Sequence, residues 1–134
     1  MKMGAKNSVN MSFENGFKGV LINKNNSSLK IGGDREEFTP YEMLLGALGS
    51  CYYATFLEIA NKMKLEYEKI NIKINSEKRE EVPTFLKNVQ IDICIIGAEE
   101  NKSFNKAFDL AGKYCSVYQT VLKVAEIENT ITYK

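Results

Sequence analysis

Residues 39–59, TPYEMLLGALGSCYYATFLEI, read as one long helix with a cysteine near its middle. Thr39 suits the N-cap, Pro40 the first helical position, and Glu42, three residues after the cap, completes a capping box. No glycine follows Gly49 for many residues, so the helix should run to about Lys64. At ~1.5 Å per residue that makes a rod of about 37 Å. Leu44, Leu45, Leu48, Tyr52, Thr55, Phe56, Ile59 and Met63 form a broad stripe on its wheel. Met43, Ala47, Ala54 and Leu57 carry apolar surface around much of the rest. A helix of this kind is buried on several sides, and a chain of 134 residues has limited material to surround it. A second subunit is therefore expected to cover part of it.

Working outward, the segment before the helix reads as short strands. Val9, Met11 and Phe13 alternate, Asn15-Gly16 is a strong hairpin signal, and Phe17 to Ile22 follows. A third strand in SSLKIGG ends at Gly32-Gly33, and the polar loop DREEF leads into the helix. After the helix, Ile70, Ile72 and Ile74 share one face of a strand, and Val89, Ile91, Ile93 and Ile95 share one face of another. Residues 102–112 form an amphipathic helix using Phe104, Ala107, Phe108 and Ala111, which Gly112 ends or interrupts. SVYQTVLK reads as a further short helix and AEIENTITYK as a last strand with Ile127 and Ile131 on one side. The order predicts one domain, 1–134, of α+β class, with helices packed on antiparallel sheet.

The charge balance narrows the partners. Eighteen basic and seventeen acidic residues leave a net charge of +1, too little for a field that gathers nucleic acid or anionic lipid. The N-terminal segment lacks the apolar core of a signal peptide, and no run is expected to reach the roughly 20 uncharged apolar residues of a membrane span. The expected location is the cytoplasm, where the three cysteines would be free thiols. There is no histidine, which removes Cys/His and Ser/His nucleophile pairs and the commonest metal ligand. Without a CxxC pair, a zinc site or other metal cofactor is not expected.

Cys94 lies in the strand IDICIIG, where a free cysteine is expected to be a small packing residue. Cys51 sits on the flank of the long helix's apolar stripe, a position that core filler could also occupy. Cys115, in GKYCSVYQTVL, falls where one helix stops and another starts. Near an N-cap, free N–H groups would favour its thiolate; an ordinary thiol at a helix junction is the alternative.

Taken together, TPYEMLLGALGSCYYA and the later AGKYCSVYQTV resemble the OsmC/Ohr family, and the resemblance covers nearly the whole chain. It implies an OsmC-like intertwined homodimer with the long helices central and two thiol sites at the subunit interface. In the peroxide-reducing members the cysteine matching Cys51 attacks the peroxide and becomes sulfenic acid, and the one matching Cys115 condenses with it to a disulfide. An external dithiol then resets the pair, and no cofactor is needed. The implied function is a thiol-dependent peroxidase-like protein acting on organic hydroperoxides in the response to oxidative stress. The alternative is a dimeric protein of the same fold that binds a small hydrophobic ligand with little or no turnover.

The chain departs from the peroxidases at two points. They stabilise the thiolate with an arginine on an early strand, held by a glutamate at the first helix turn. Here the only arginines are Arg35 and Arg79. Lys18 could bring charge from the hairpin, without the planar guanidinium fork. Arg35 could bring it from the loop before the helix. Tyr41 stands where those peroxidases carry the glutamate, and Glu42 is its neighbour.

Overall fold

The computed structural model describes residues 4–134. Residues 1–3, where the leader reading begins, lie outside the described part. The chain divides into two compact units, Met1–Leu44 and Leu45–Lys134.

The first unit holds a three-stranded antiparallel sheet of β1 (Asn10–Phe13), β2 (Lys18–Ile22) and β3 (Ser28–Gly32) in that order. The hairpin forms where the Asn-Gly signal lies, yet with a wider turn than two residues. Phe13 pairs with Gly19, so the connection is long enough for the Phe13 and Phe17 rings to stack, 6.2 Å apart. Only Gly16 of the Asn-Gly pair takes positive φ, 125°, a region that glycine enters without steric cost. Little of this sheet is buried: Val9, Met11, Phe13 and Phe17 are all exposed.

The long helix, α1, spans Pro40–Lys62. The capping box is formed: the Thr39 N–H donates to Glu42 Oε1 (2.8 Å) and the Glu42 N–H to Thr39 Oγ1 (3.3 Å). The helix ends two residues short of Lys64, which adopts a left-handed φ of 59° and lets the Leu65 N–H close back on the Ala60 carbonyl at 2.9 Å. By length and composition α1 could cross a membrane, an 18-residue stretch of it having a mean hydropathy of 1.3, although Glu42 and Glu58 keep its uncharged run short of the roughly 20 residues of a span. Its Leu48, Tyr52, Phe56 and Ala60 are nevertheless buried, as in the core helix of a folded domain.

The second unit carries β4 (Lys69–Lys78), β5 (Leu86–Ile96), α2 (Lys102–Tyr114), α3 (Ser116–Leu122) and β6 (Glu126–Tyr133). Its sheet has the order β4-β5-β6. β4 and β5 are antiparallel, whereas β5 and β6 are parallel, with Val89 opposite Ile127 and Ile93 opposite Ile131. The sheet is thus mixed, not antiparallel throughout. The helical segment between β5 and β6 supplies the crossover that a parallel pair requires. Alternation along β5 sends Val89, Ile91, Ile93 and Ile95 into the core. There α1 meets α2, the Phe56 and Phe108 rings stacking at 3.9 Å and 6°. The same alternation puts Cys94 on the opposite face, half-buried, so it is not the core packing residue expected.

Candidate thiol site

Cys51 and Cys115 come from different elements and meet. The Cys115 Sγ–H lies 3.0 Å from Cys51 Sγ and donates to it. Both are free thiols. Cys115 is fully buried, whereas Cys51 is only partly covered. α1 presents Cys51, next to the buried Tyr52. The junction between α2 and α3 presents Cys115, whose extended backbone (φ −74°, ψ 118°) is at once the C-cap of α2 and the N-cap of α3. Its N–H returns to the Ala111 carbonyl at 2.8 Å, and its sulfur accepts the Tyr118 N–H at 3.4 Å. A cysteine sulfur here takes the place of the usual hydroxyl or carboxylate cap.

The two thiols are polarised in opposite senses. Cys51 is shifted below its ordinary value, first by the S–H donated from Cys115 and then, against the cost of burial, by the Val117 N–H and the Ser116 hydroxyl. Thr55 helps least, and its hydroxyl also donates to the Cys51 carbonyl oxygen at 2.9 Å. Cys115 is shifted upward, chiefly by burial and then by its role as donor to Cys51, and the Tyr118 N–H only partly offsets this. An N-cap position alone would have made Cys115 the more acidic thiol; burial outweighs it. Of the two, the partly exposed sulfur is therefore the one that ionises more readily, and the buried one holds its proton more tightly.

This polarity can be measured. The rate of iodoacetamide alkylation of Cys51 should titrate with a midpoint below that of an ordinary thiol, near pH ~8.5. In Cys115→Ala the main donor is gone, so the midpoint should rise and the rate near pH 7 should fall several-fold. Cys115→Ser keeps a hydroxyl donor and should lie between the two. Equal midpoints in all three proteins would show that Cys115 does not set the ionisation of Cys51.

The other expected residues lie in the first unit. The Lys18 ammonium is engaged by Glu37 Oε2 (2.9 Å) and Asp34 Oδ2 (3.2 Å). The Asp34 N–H also donates to Glu37 Oε1, at 2.9 Å. The Glu37 carboxyl is held below the carboxylate range, first by its hydrogen bond from Lys18, and Lys18 is raised by the same contact. Glu37 was not anticipated, although its spacing from Asp34 in DREEF suits a side chain that bonds back to a loop N–H. Arg35 is exposed and, among the described residues, forms no ion pair. Glu42 is occupied by the capping box. Three contributors in the second unit were also missed. Ser116 follows Cys115 directly, Val117 acts through its backbone, and Thr55, one helical turn after Cys51, could have been found from its spacing.

The chain as a whole is similar to known proteins. The family described as OsmC-like protein matches residues 32–129. Protein YhfA of Escherichia coli (strain K12) is 30% identical over 94 residues, covering 69% of this chain and 70% of its own. An OsmC-like protein from Mycoplasma pneumoniae has a TM-score of 0.86 at 16% identity, over 98% of this chain and 99% of that one. An organic hydroperoxide resistance protein from Elizabethkingia anophelis has a TM-score of 0.74 at 13% identity, over 98% and 100%. At these identities the solved structures speak for the fold. With the α+β architecture and the match along most of the sequence, the chain belongs to the OsmC-like family.

Proposed function

We propose that this protein is a thiol peroxidase acting on organic hydroperoxides, with Cys51 as the attacking thiol and Cys115 as the resolving thiol. The observation that carries the reading is the 3.0 Å contact between the two sulfurs, reinforced by the opposite directions in which their acidities are shifted. Solved relatives named for organic hydroperoxide resistance support a redox-stress role. The Cys51 thiolate attacks the outer oxygen of ROOH; the O–O bond breaks, the alkoxide takes a proton and leaves as ROH, and Cys51 becomes a sulfenic acid. The Cys115 sulfur then gives up its proton and attacks the Cys51 sulfur. An S–S bond forms, the S–O bond breaks, and water departs. An external dithiol returns the two electrons. No step requires a cofactor, and none is proposed.

In this reading the neutral donors at the α2–α3 junction lower the Cys51 pKa in place of the arginine. Lys18, held by Glu37 and Asp34, is the basic group proposed to act beside the thiol, with exposed Arg35 as the alternative; Glu42, where a charge partner would stand, also closes the capping box. The functional form is proposed to be a cytoplasmic homodimer of single-domain chains. The exposed Val9, Met11, Phe13 and Phe17 in and beside the first sheet offer apolar surface for a second copy to cover.

The test adds cumene hydroperoxide to the reduced protein and follows peroxide, free thiols and intact mass. Loss of about one peroxide per chain, with formation of one Cys51–Cys115 disulfide, is expected. Unchanged mass and thiol count under excess peroxide would remove the peroxidase and leave a binding role for the fold, with a small hydrophobic molecule as its ligand.

A further inference from the structure

The last strand carries a polar residue where its alternation calls for an apolar one. Ile127, Asn129 and Ile131 share a face of β6, and Asn129 stands opposite Ile91 of the core strand. Asn129 itself is exposed, so water could satisfy its amide, yet the side chain turns to two tyrosine hydroxyls. Asn129 is bonded twice through one nitrogen: Nδ2 donates to Tyr52 Oη (3.2 Å) and to Tyr118 Oη (3.1 Å). Tyr52 is fully buried and nearly all of Tyr118 is. Tyr52 Oη donates in turn to the Phe108 carbonyl of α2 at 3.2 Å. The two tyrosine rings lie 5.1 Å apart.

Each tyrosine belongs to one half of the thiol pair. Tyr52 follows Cys51 directly on α1. Tyr118 gives its N–H to the Cys115 sulfur, and its ring lies so close to Gly112 that a Cβ there would meet Cζ at 3.1 Å. We propose that Asn129 is a positioning residue that braces the α2–α3 junction against α1 through these two hydroxyls, and so holds Cys115 within reach of Cys51. The brace touches neither sulfur. It acts on resolution: without it the junction can drift, and a Cys51 sulfenic acid waits longer for its partner. Burial raises the Tyr52 pKa, which keeps its hydroxyl protonated and its donation to α2 intact across the working pH range.

The inference rests on the proposed pairing of Cys51 with Cys115, and its test does not require peroxide. Reduced wild type, Asn129→Leu and Tyr118→Phe are equilibrated in glutathione redox buffers. Oxidised glutathione takes two electrons from the pair and becomes two reduced molecules, so the disulfide fraction gives the equilibrium constant for closing it. Both variants are expected to lower that constant about tenfold. In parallel, at one cumene hydroperoxide concentration, the ratio of Cys51 sulfinic acid to disulfide should rise by a similar factor. A purely structural asparagine would lower the melting temperature and leave both ratios alone. Should Asn129→Leu fail to fold, Tyr118→Phe, which keeps the ring, decides. Wild-type constants in the folded variants would overturn the brace. If wild type ignores peroxide but the variants weaken the pair in glutathione, the peroxidase reading falls and the brace stands.

Discussion

Cys51→Ser is expected to abolish peroxide consumption, a loss on the order of a thousandfold or more, as when other enzymes lose their nucleophile. A serine hydroxyl at that position keeps its proton at neutral pH and does not displace oxygen from a peroxide, so neither free thiol count nor intact mass should change with time. Cys115→Ser separates the two halves of the reaction. Cys51 should still react once, but its sulfenic acid has no thiol 3.0 Å away to condense with. With excess peroxide it should collect further oxygens as sulfinic and then sulfonic acid, and turnover with a dithiol should fall sharply. Cys94→Ala is the control. Cys94 lies on the sheet face opposite the core isoleucines of β5, and its removal should leave turnover unchanged. Turnover that survives Cys51→Ser, or that is lost in a folded Cys94→Ala, would mean that the reacting sulfur is not Cys51.

Much of this was legible in the sequence, for reasons that differ by element. The start of α1 was readable because its signals are local: Thr39, Pro40 and Glu42 act within four residues, and both capping bonds form. The core face of β5 was readable because period-two alternation is a geometric rule, and that rule also puts Cys94 outside, against the view of it as core filler. The parallel pairing of β5 with β6 was not legible, since nothing in AEIENTITYK marks its direction and the crossover through α2 and α3 decides it. The Asn129 brace depends on that pairing and was hidden with it. The polarity of the thiols was only half visible. An N-cap position for Cys115 could be foreseen and was found, yet its raised pKa comes from burial, which depends on how the α2–α3 junction packs. Likewise the Lys18 ion pair needed the sheet register. Lys18 sits opposite Gly32, and only then does the loop after β3 bring Asp34 and Glu37 to it.

Phe56→Ala is expected to cost about 3–5 kcal/mol of stability, the range for deleting a fully buried aromatic side chain. Phe56 has no exposed surface. Its ring lies flat on Phe108 at 3.9 Å and also faces Phe104 and Tyr67, at 6.4 Å and 5.9 Å. It thereby joins the middle of α1 to α2, and truncation would open a void that these flat neighbours fill poorly. For a chain of this size the loss should lower the melting temperature on the order of 10–20 °C, measurable by circular dichroism or calorimetry. Phe56→Leu keeps most of the volume and should cost less than half as much. The functional consequence follows from where the anchor sits. Cys51 rides on α1, and the Cys115 junction begins where α2 ends, so any loosening of α1 against α2 should appear as slower closure of the disulfide before the protein unfolds. In the folded Phe56→Leu variant the Cys51 alkylation midpoint and the disulfide equilibrium should therefore move together, both toward weaker coupling. A stability loss below about 1 kcal/mol in Phe56→Ala would place the main anchorage of α1 elsewhere, and the argument that this aromatic contact holds the two sulfurs in register would fail with it.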